Sequence, residues 1–196
     1  MHEDAIFPVR AAGIPVNIKN TNQPEDRGTM IVSESAEHCD HIITGIAGKK
    51  GMSVINIEKD KMNSEIGFGK NVLRALEKSN VSFEHMPSGV DTMSVVIATE
   101  ALAGKETAII DEIKSRVHPD QIYIESNLAL IAVVGRGMKS ARGTAAILFS
   151  ALADARVNIK MIDQGSSELN IIVGVEEEDF EVAIKAIYKR FIGINQ

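Results

Sequence analysis

MSVINIEKDKMNSEIGFGKNVLRALEKSNVSFEHMPSGVDTMSVVIATE, Met52 to Glu100, is followed by a second version of itself: LALIAVVGRGMKSARGTAAILFSALADARVNIKMIDQGSSELNIIVGVE, Leu128 to Glu176. An offset of 76 positions lays one on the other without a gap, placing Met62 on Met138, Ser64 on Ser140, Gly67 on Gly143, Leu76 on Leu152, Val81 on Val157 and Gly89 on Gly165. Identities are few, but the structural signals recur in the same order, which is the signature of a repeated supersecondary unit. Each copy opens on a β-branched apolar run, MSVINI or LALIAV, that reads as a strand. A loop with Gly67 or Gly143 follows, then apolar residues at helical spacing: Phe68, Val72, Leu73 and Leu76, or Ala145, Leu148, Phe149 and Leu152. VSFEHM and VNIKMI are second strands, PSGVD and DQGSS turns, and MSVVIA and LNIIVG third strands. A closing helix places Ile110, Ile113 and Val117 against Ile184, Ile187 and Phe191 at an offset of 74.

The order β-α-β-β-α wants a fourth strand. QIYIES supplies it to the first copy, whereas the second copy meets the chain end at Gln196. A spare strand stands near the N-terminus, IPVNIKN, preceded by AIFPVRAAG. Counting strands therefore predicts that Val16 to Lys19 completes the second copy and that the first copy is inserted within it. TNQPEDRGT is a turn-rich connector. TMIVSES and HIITGIA read as short strands, the latter joined to MSVINI by a hairpin-like turn, Gly48-Lys49-Lys50-Gly51. The expected class is α+β: two ferredoxin-like βαββαβ units, antiparallel sheets with helices on one face, the first unit inserted in the second. Residues 1–28 would form a leading helix, the completing strand and a connector, 29–127 the first unit and 128–196 the second.

Composition narrows the function classes. With 44% hydrophobic and 24% charged residues, the 196-residue chain has enough apolar material for a core. Aromatics are 4% and Trp is absent, so that core is built from Ile, Val, Leu, Ala and Met. A net charge of -6 gives no attraction to nucleic acid or an anionic membrane. No apolar run nears the ~20 residues of a membrane span. The start, MHEDAIFPVR, lacks the layout of a signal peptide. The single cysteine, Cys39, fits a reducing compartment, and a cytoplasmic location is expected.

A ferredoxin-like unit leaves unpaired backbone N–H groups where its first helix begins, a ready site for a carboxylate. In the first copy that loop is Met62-Asn63-Ser64-Glu65-Ile66-Gly67-Phe68-Gly69; Gly67 and Gly69 either admit a ligand to the backbone or only serve the turn. The strand and turn from Ser82 to Thr92 carry hydroxyls and the carboxylates Glu84 and Asp91, which either face an ammonium group or are solvated. The second copy has Lys160 and Ser167 at those positions, so the two copies are not expected to bind one ligand equally. Gly67-Phe68-Gly69 and Gly135-Arg136-Gly137 complete no nucleotide-binding motif. His38, Cys39, Asp40 and His41 are consecutive, and extended backbone would turn them to opposite faces rather than onto one metal ion. His85 has no nucleophile arrangement around it, and nothing reads as a catalytic centre.

FEHMPSGVDTMSVV, IPVNIKNTNQPEDRGTMI, SEIGFGKNVL, GRGMKSARGTAAILFSAL and NIKMIDQGSSELNIIV together, in this order, resemble the C-terminal regulatory part of aspartate kinases. The repeated unit is then the ACT domain. The resemblance implies allosteric feedback control of ATP-dependent phosphorylation of aspartate in lysine, threonine and methionine biosynthesis, exercised by an end-product amino acid bound at a dimer interface. ATP and magnesium would belong to a kinase domain outside this chain, which is expected to be inactive alone and to need no cofactor or metal. Carried over by position, the implied effector contacts are Met62, Ser64, Glu65, Gly67, Phe68 and Gly69 in the loop, with Ser82, Phe83, Glu84, Asp91 and Thr92 on the strand and turn. A carboxylate at Glu84 favours lysine over threonine. The implied partners are the effector, the kinase catalytic domain and a second copy of this chain, with no nucleic acid and no membrane. The alternative is an ACT-type sensor or dimerisation module serving another enzyme.

Overall fold

The computed structural model describes residues 3–32, 41–139 and 141–194; His38, Cys39, Asp40 and Ser140, singled out above, lie outside them. The chain divides into two compact units, Met1–Asp40 and His41–Gln196.

In the N-terminal unit, helix α1 (Glu3–Ala11) precedes strands β1 (Val16–Ile18) and β2 (Thr29–Ile31). These pair antiparallel, Val16 opposite Ile31 and Ile18 opposite Thr29. Gly28 makes the return possible: its φ is +73°, and a Cβ there would sit 2.5 Å from the Ile18 carbonyl oxygen.

The larger unit is built on two 14-residue strands, β3 (Gly45–Glu58) and β5 (Gln121–Val134), side by side at the middle of a five-stranded sheet. Between them in sequence come α2 (Phe68–Lys78), β4 (Thr92–Ala98), the short α3 (Thr99–Leu102) and α4 (Glu106–Val117). After β5 come α5 (Thr144–Asp154), β6 (Met161–Asp163), β7 (Asn170–Glu176) and α6 (Phe180–Ile194). The sheet order is β4-β3-β5-β7-β6, and every pairing is antiparallel. Each long strand changes membership partway. Residues 52–58 of β3 and 121–125 of β5 belong to the first repeat; residues 45–49 of β3 and 128–134 of β5 belong to the second. The second repeat is thus made of two segments on either side of the first.

Helices cover one face. Ile55, Ile57, Val95 and Ile97 pack under Val72 and Leu76 of α2 and under Ile109, Ile113 and Val117 of α4. Ile131, Val133, Ile171 and Val173 pack under Leu148 and Leu152 of α5 and under Ala183, Ile187 and Phe191 of α6. Side chains alternate across a strand, so the intervening residues form another cluster on the helix-free face: Met52, Val54, Val96, Leu128, Leu130 and Ile172. At the changeover, the register of β3 against β5 shifts between Lys49 and Met52 and again between Met52 and Val54. Gly51 takes φ +73° there, and Asn127 on β5 takes +61°. Ser53 is fully buried at this point, its hydroxyl 2.9 Å from both Thr99 Oγ1 and Ser126 Oγ. The polar group is thereby satisfied inside an apolar core.

The α+β reading with paired repeats describes this unit, but several details differ from expectation. Val16 to Lys19 does not complete the second repeat: Val16–Ile18 pairs with Thr29–Ile31, and Gly45–Lys49 lies along Val134–Leu130 instead. The reason is connectivity. Residues 45–49 continue directly into a strand already held in the sheet, so they pair with no loop-closure cost. For the same reason Gly48-Lys49-Lys50-Gly51 is a bulged strand rather than a hairpin turn, and QIYIES runs straight into LALIAV. The strand expected at VSFEHM is reduced to one isolated bridge, His85 to Val96, and a second, Ser88 to Met93, falls in the expected turn; Pro87 between them has no N–H to donate. In the closing helices Ile113, Val117, Ile187 and Phe191 are buried as expected, but Ile109 and Ala183 take the fully buried places expected of Ile110 and Ile184, which are half-buried.

Gly135 tests the packing at the end of β5. A Cβ there would lie 2.4 Å from the Ile42 carbonyl oxygen and 2.6 Å from Ile43 Cα, both backbone atoms that cannot turn aside. Gly135→Ala is expected to lower stability by about 1–3 kcal/mol in urea or thermal unfolding, the usual cost of overpacking. A second expectation concerns pH. Lys78 of α2, and then Arg116 of α4, hydrogen-bond Glu112 and hold its carboxyl below the usual carboxylate range. A depressed carboxylate stabilises above its unfolded pKa, and that contribution is lost as pH falls through the folded value. Glu112→Gln should therefore flatten the acid limb of a stability-against-pH curve and leave the neutral region little changed in slope.

Candidate ligand site

The eleven residues proposed from sequence fall into two groups. The loop end of the first repeat gathers Met62, Ser64, Glu65, Gly67, Phe68, Gly69, Asp91 and Thr92, because β3 leaves the sheet at Glu58 opposite Thr92, where β4 enters. Ser82, Phe83 and Glu84 lie at the other end of β4, where the Glu84 N–H donates to the Val96 carbonyl. Val96 lies four residue steps along β4 from Thr92, roughly 13 Å at strand rise.

At the loop end, Met62 and Phe68 are core residues, buried against β3, β4 and α2. They anchor the loop and present little surface. Asp91 holds the loop to β4: its Oδ1 accepts the Lys61 N–H at 2.8 Å, and its carbonyl accepts the Lys59 N–H at 2.9 Å. Asn63 N–H donates to the Val90 carbonyl, and Asp120 Oδ2 accepts the Asp60 N–H at 2.7 Å. Asp91 is therefore a loop fastener in this chain. Glu65 does not carry a free charge. It is ion-paired with Lys59, whose ammonium also donates to the Val117 carbonyl at 2.5 Å and stands 5.8 Å from the Phe68 ring centre. Neither Lys59 nor Asp120 was singled out from sequence, and no local pattern marks them; only the closeness of the β3–α2 loop to the end of α4 gives them their partners.

Helix α2 begins at Gly67, whose φ of +85° is a left-handed conformation, with no side chain capping the helix. The N–H groups of Ile66, Gly67, Gly69 and Lys70 have no acceptor among the described residues. Ile66 is fully exposed beside them, Ser64 is exposed and Gly69 partly so. This is a concentration of unfilled backbone donors at the positive end of a helix, suited to a carboxylate. The second repeat keeps the geometry: Gly143 has φ +86° and α5 has no side-chain cap.

The other group lies on the open side of β4. Phe83 is 44% exposed beside Leu73, Arg74 and Lys70 in a shallow groove along α2. The Glu84 carboxylate is exposed and meets Lys49 Nζ at 2.5 Å. His85, isolated in the sequence, places Nδ1 3.4 Å from Asp163 Oδ2. Among the described residues no three His, Cys, Asp or Glu side chains converge as metal ligands, and no helix is long and apolar enough to cross a membrane.

Comparison with known proteins matches residues 131–191 to the ACT domain family. The chain is 42% identical over 191 residues to Aspartokinase 3 of Bacillus subtilis, covering 97% of this chain and 42% of that protein. It superposes on the crystal structure of Clostridium acetobutylicum aspartate kinase with a TM-score of 0.90 at 56% identity, over 97% of this chain and 44% of the other. It shares its fold with E. coli aspartokinase III solved with lysine and aspartate, at a TM-score of 0.76 and 20% identity, over 97% of this chain and 42% of that one. The chain thus spans less than half the length of these relatives.

Asp91→Ala removes the acceptor that ties down Lys61. Amide exchange of residues 59–65 is expected to accelerate several-fold while the amides of β4 stay protected, a local opening readable by hydrogen-exchange mass spectrometry.

Proposed function

We propose, from a likeness to aspartokinases that runs over 97% of this chain, that it is a regulatory region which senses an end-product amino acid, lysine first and threonine next, for a kinase domain that phosphorylates aspartate with ATP. The observation that carries the reading is one pair of complementary features in the first ACT unit. Unfilled N–H donors at the start of α2 suit the ligand's α-carboxylate, and the exposed Glu84 carboxylate suits a side-chain ammonium.

Within one chain these features are too far apart for the four-carbon stem of a free lysine to join them. A second copy resolves the mismatch. The segment from Ser82 to Ser88 is an open sheet edge. Twofold antiparallel pairing along that edge would set the Glu84 end of one copy beside the loop end of the other while covering unpaired strand groups. The exposed Phe83 and Val90 lie along the same edge and would be buried with it. The ligand then bridges two subunits. Because an effector shifts an enzyme only by its preference between conformations, a site shared across a dimer ties ligand binding to the relative placement of two kinase domains.

Calorimetric titration with lysine, threonine and methionine tests this. Saturable lysine binding that Glu84→Ala weakens at least tenfold is the expected result, alongside a dimer by light scattering. Threonine binding without lysine binding would reassign the effector; a silent panel from a folded dimer would leave a dimerisation module.

A further inference from the structure

Two ion pairs on the helix-free side carry one step more, which rests on the reading of Glu84 above. The 76-residue offset that relates the repeats places Lys49 on Glu125 and Glu84 on Lys160. In the fold, Lys49 pairs with Glu84 and Lys160 pairs with Glu125. The two bridges are therefore equivalents under the repeat with their charges exchanged. Each joins the second-strand segment of one ACT unit to the fourth strand of the other, since Lys49 ends the strand segment that β3 lends to the second unit and Glu125 ends the segment that β5 lends to the first.

The halves of this clamp are unequal. Lys160 is 25% exposed and also reaches Glu176 Oε1 at 3.0 Å, so two carboxylates hold one ammonium beside Leu128, Leu130 and Met161. The Lys49–Glu84 half is open to water, 56% and 40% exposed, with a single carboxylate on a single ammonium. An exposed pair of this kind is weakly held and exchanges partners readily. Its ammonium is chemically the same group as the side-chain terminus of a free lysine.

We propose that Lys49 is an internal competitor for a cationic effector: its ammonium occupies the carboxylate that would receive the ligand's, so Lys49 sets the affinity and selectivity of the first ACT unit for basic amino acids. Displacing it opens the exposed half of the clamp and leaves the Lys160 half as the remaining tie, so occupancy of the first unit is felt at the strand completing the second.

The test is calorimetric titration of the full chain with free lysine in four variants, each checked for folding by its melting curve. Lys49→Met should tighten lysine binding about two- to fivefold, the span an exposed ion pair commands. The same change in a Glu84→Gln background should add nothing. Lys50→Met removes a neighbouring charge that pairs with Glu181 and lies over Phe180; it should leave affinity unchanged. If Lys49→Met has no effect or weakens binding while Glu84→Gln still weakens it, the site stands and the competition is refuted. Equal tightening by Lys50→Met would reduce the effect to net charge and also refute it. If the unaltered chain binds no lysine, or Glu84→Gln leaves binding untouched, the reading of Glu84 fails and the inference falls with it.

Discussion

Everything in the larger unit depends on two strands being shared. A βαββαβ sheet is complete only when its fourth strand lies beside its first, and here both repeats meet that requirement with halves of the same two long strands. β5 finishes the first repeat with residues 121–125 and begins the second with 128–134, while β3 finishes the second with 45–49 and begins the first with 52–58. Pulling either strand out would unmake both cores at once. The changeover is where such an arrangement is vulnerable, because a bulge leaves backbone and hydroxyl groups unpaired in an apolar setting. The hydroxyls of Ser53, Thr99 and Ser126 meet there, and the Gly51 N–H donates to Glu177 Oε2 at 3.0 Å.

Sharing strands also makes the helix-free face a common surface. Met52, Val54 and Val96 of the first unit and Leu128, Leu130 and Ile172 of the second form one buried cluster. Around it stand charged pairs that cross between the units: Lys49 with Glu84, Lys160 with Glu125, and His85 with Asp163. An apolar centre with a polar rim is the arrangement of an interface between proteins, formed here within one chain. It makes the segment from Ser82 to Ser88 a junction, with the sheet on one side, the charged rim at its end and an open edge outward.

What the residues made legible of the candidate site was its helix-start loop, for local reasons. Gly67 and Gly143 open their helices in left-handed conformations, and a glycine ahead of an apolar helical run signals that from sequence. Glu84 and Asp91 were visible as carboxylates in a strand and turn, but their separate roles were not. Asp91 fastens a loop through Lys61, and Glu84 sits exposed against Lys49, 35 residues away. The charge-reversed correspondence of Lys49 and Glu84 with Glu125 and Lys160 was present in the repeat, yet it carries meaning only once the strands are shown to be exchanged.

The residues alone determined the repeat, the glycine that opens the first helix of each copy and most of the apolar stripe along its helices. These follow from periodicity, glycine placement and apolar spacing over a few residues at a time. Only the tertiary structure decided which segment closes the second sheet. Val16 to Lys19 and HIITGIA both read as short strands, and local propensity cannot choose between them. The choice falls to the segment continuous with a strand already paired, which joins the sheet without ordering a new loop.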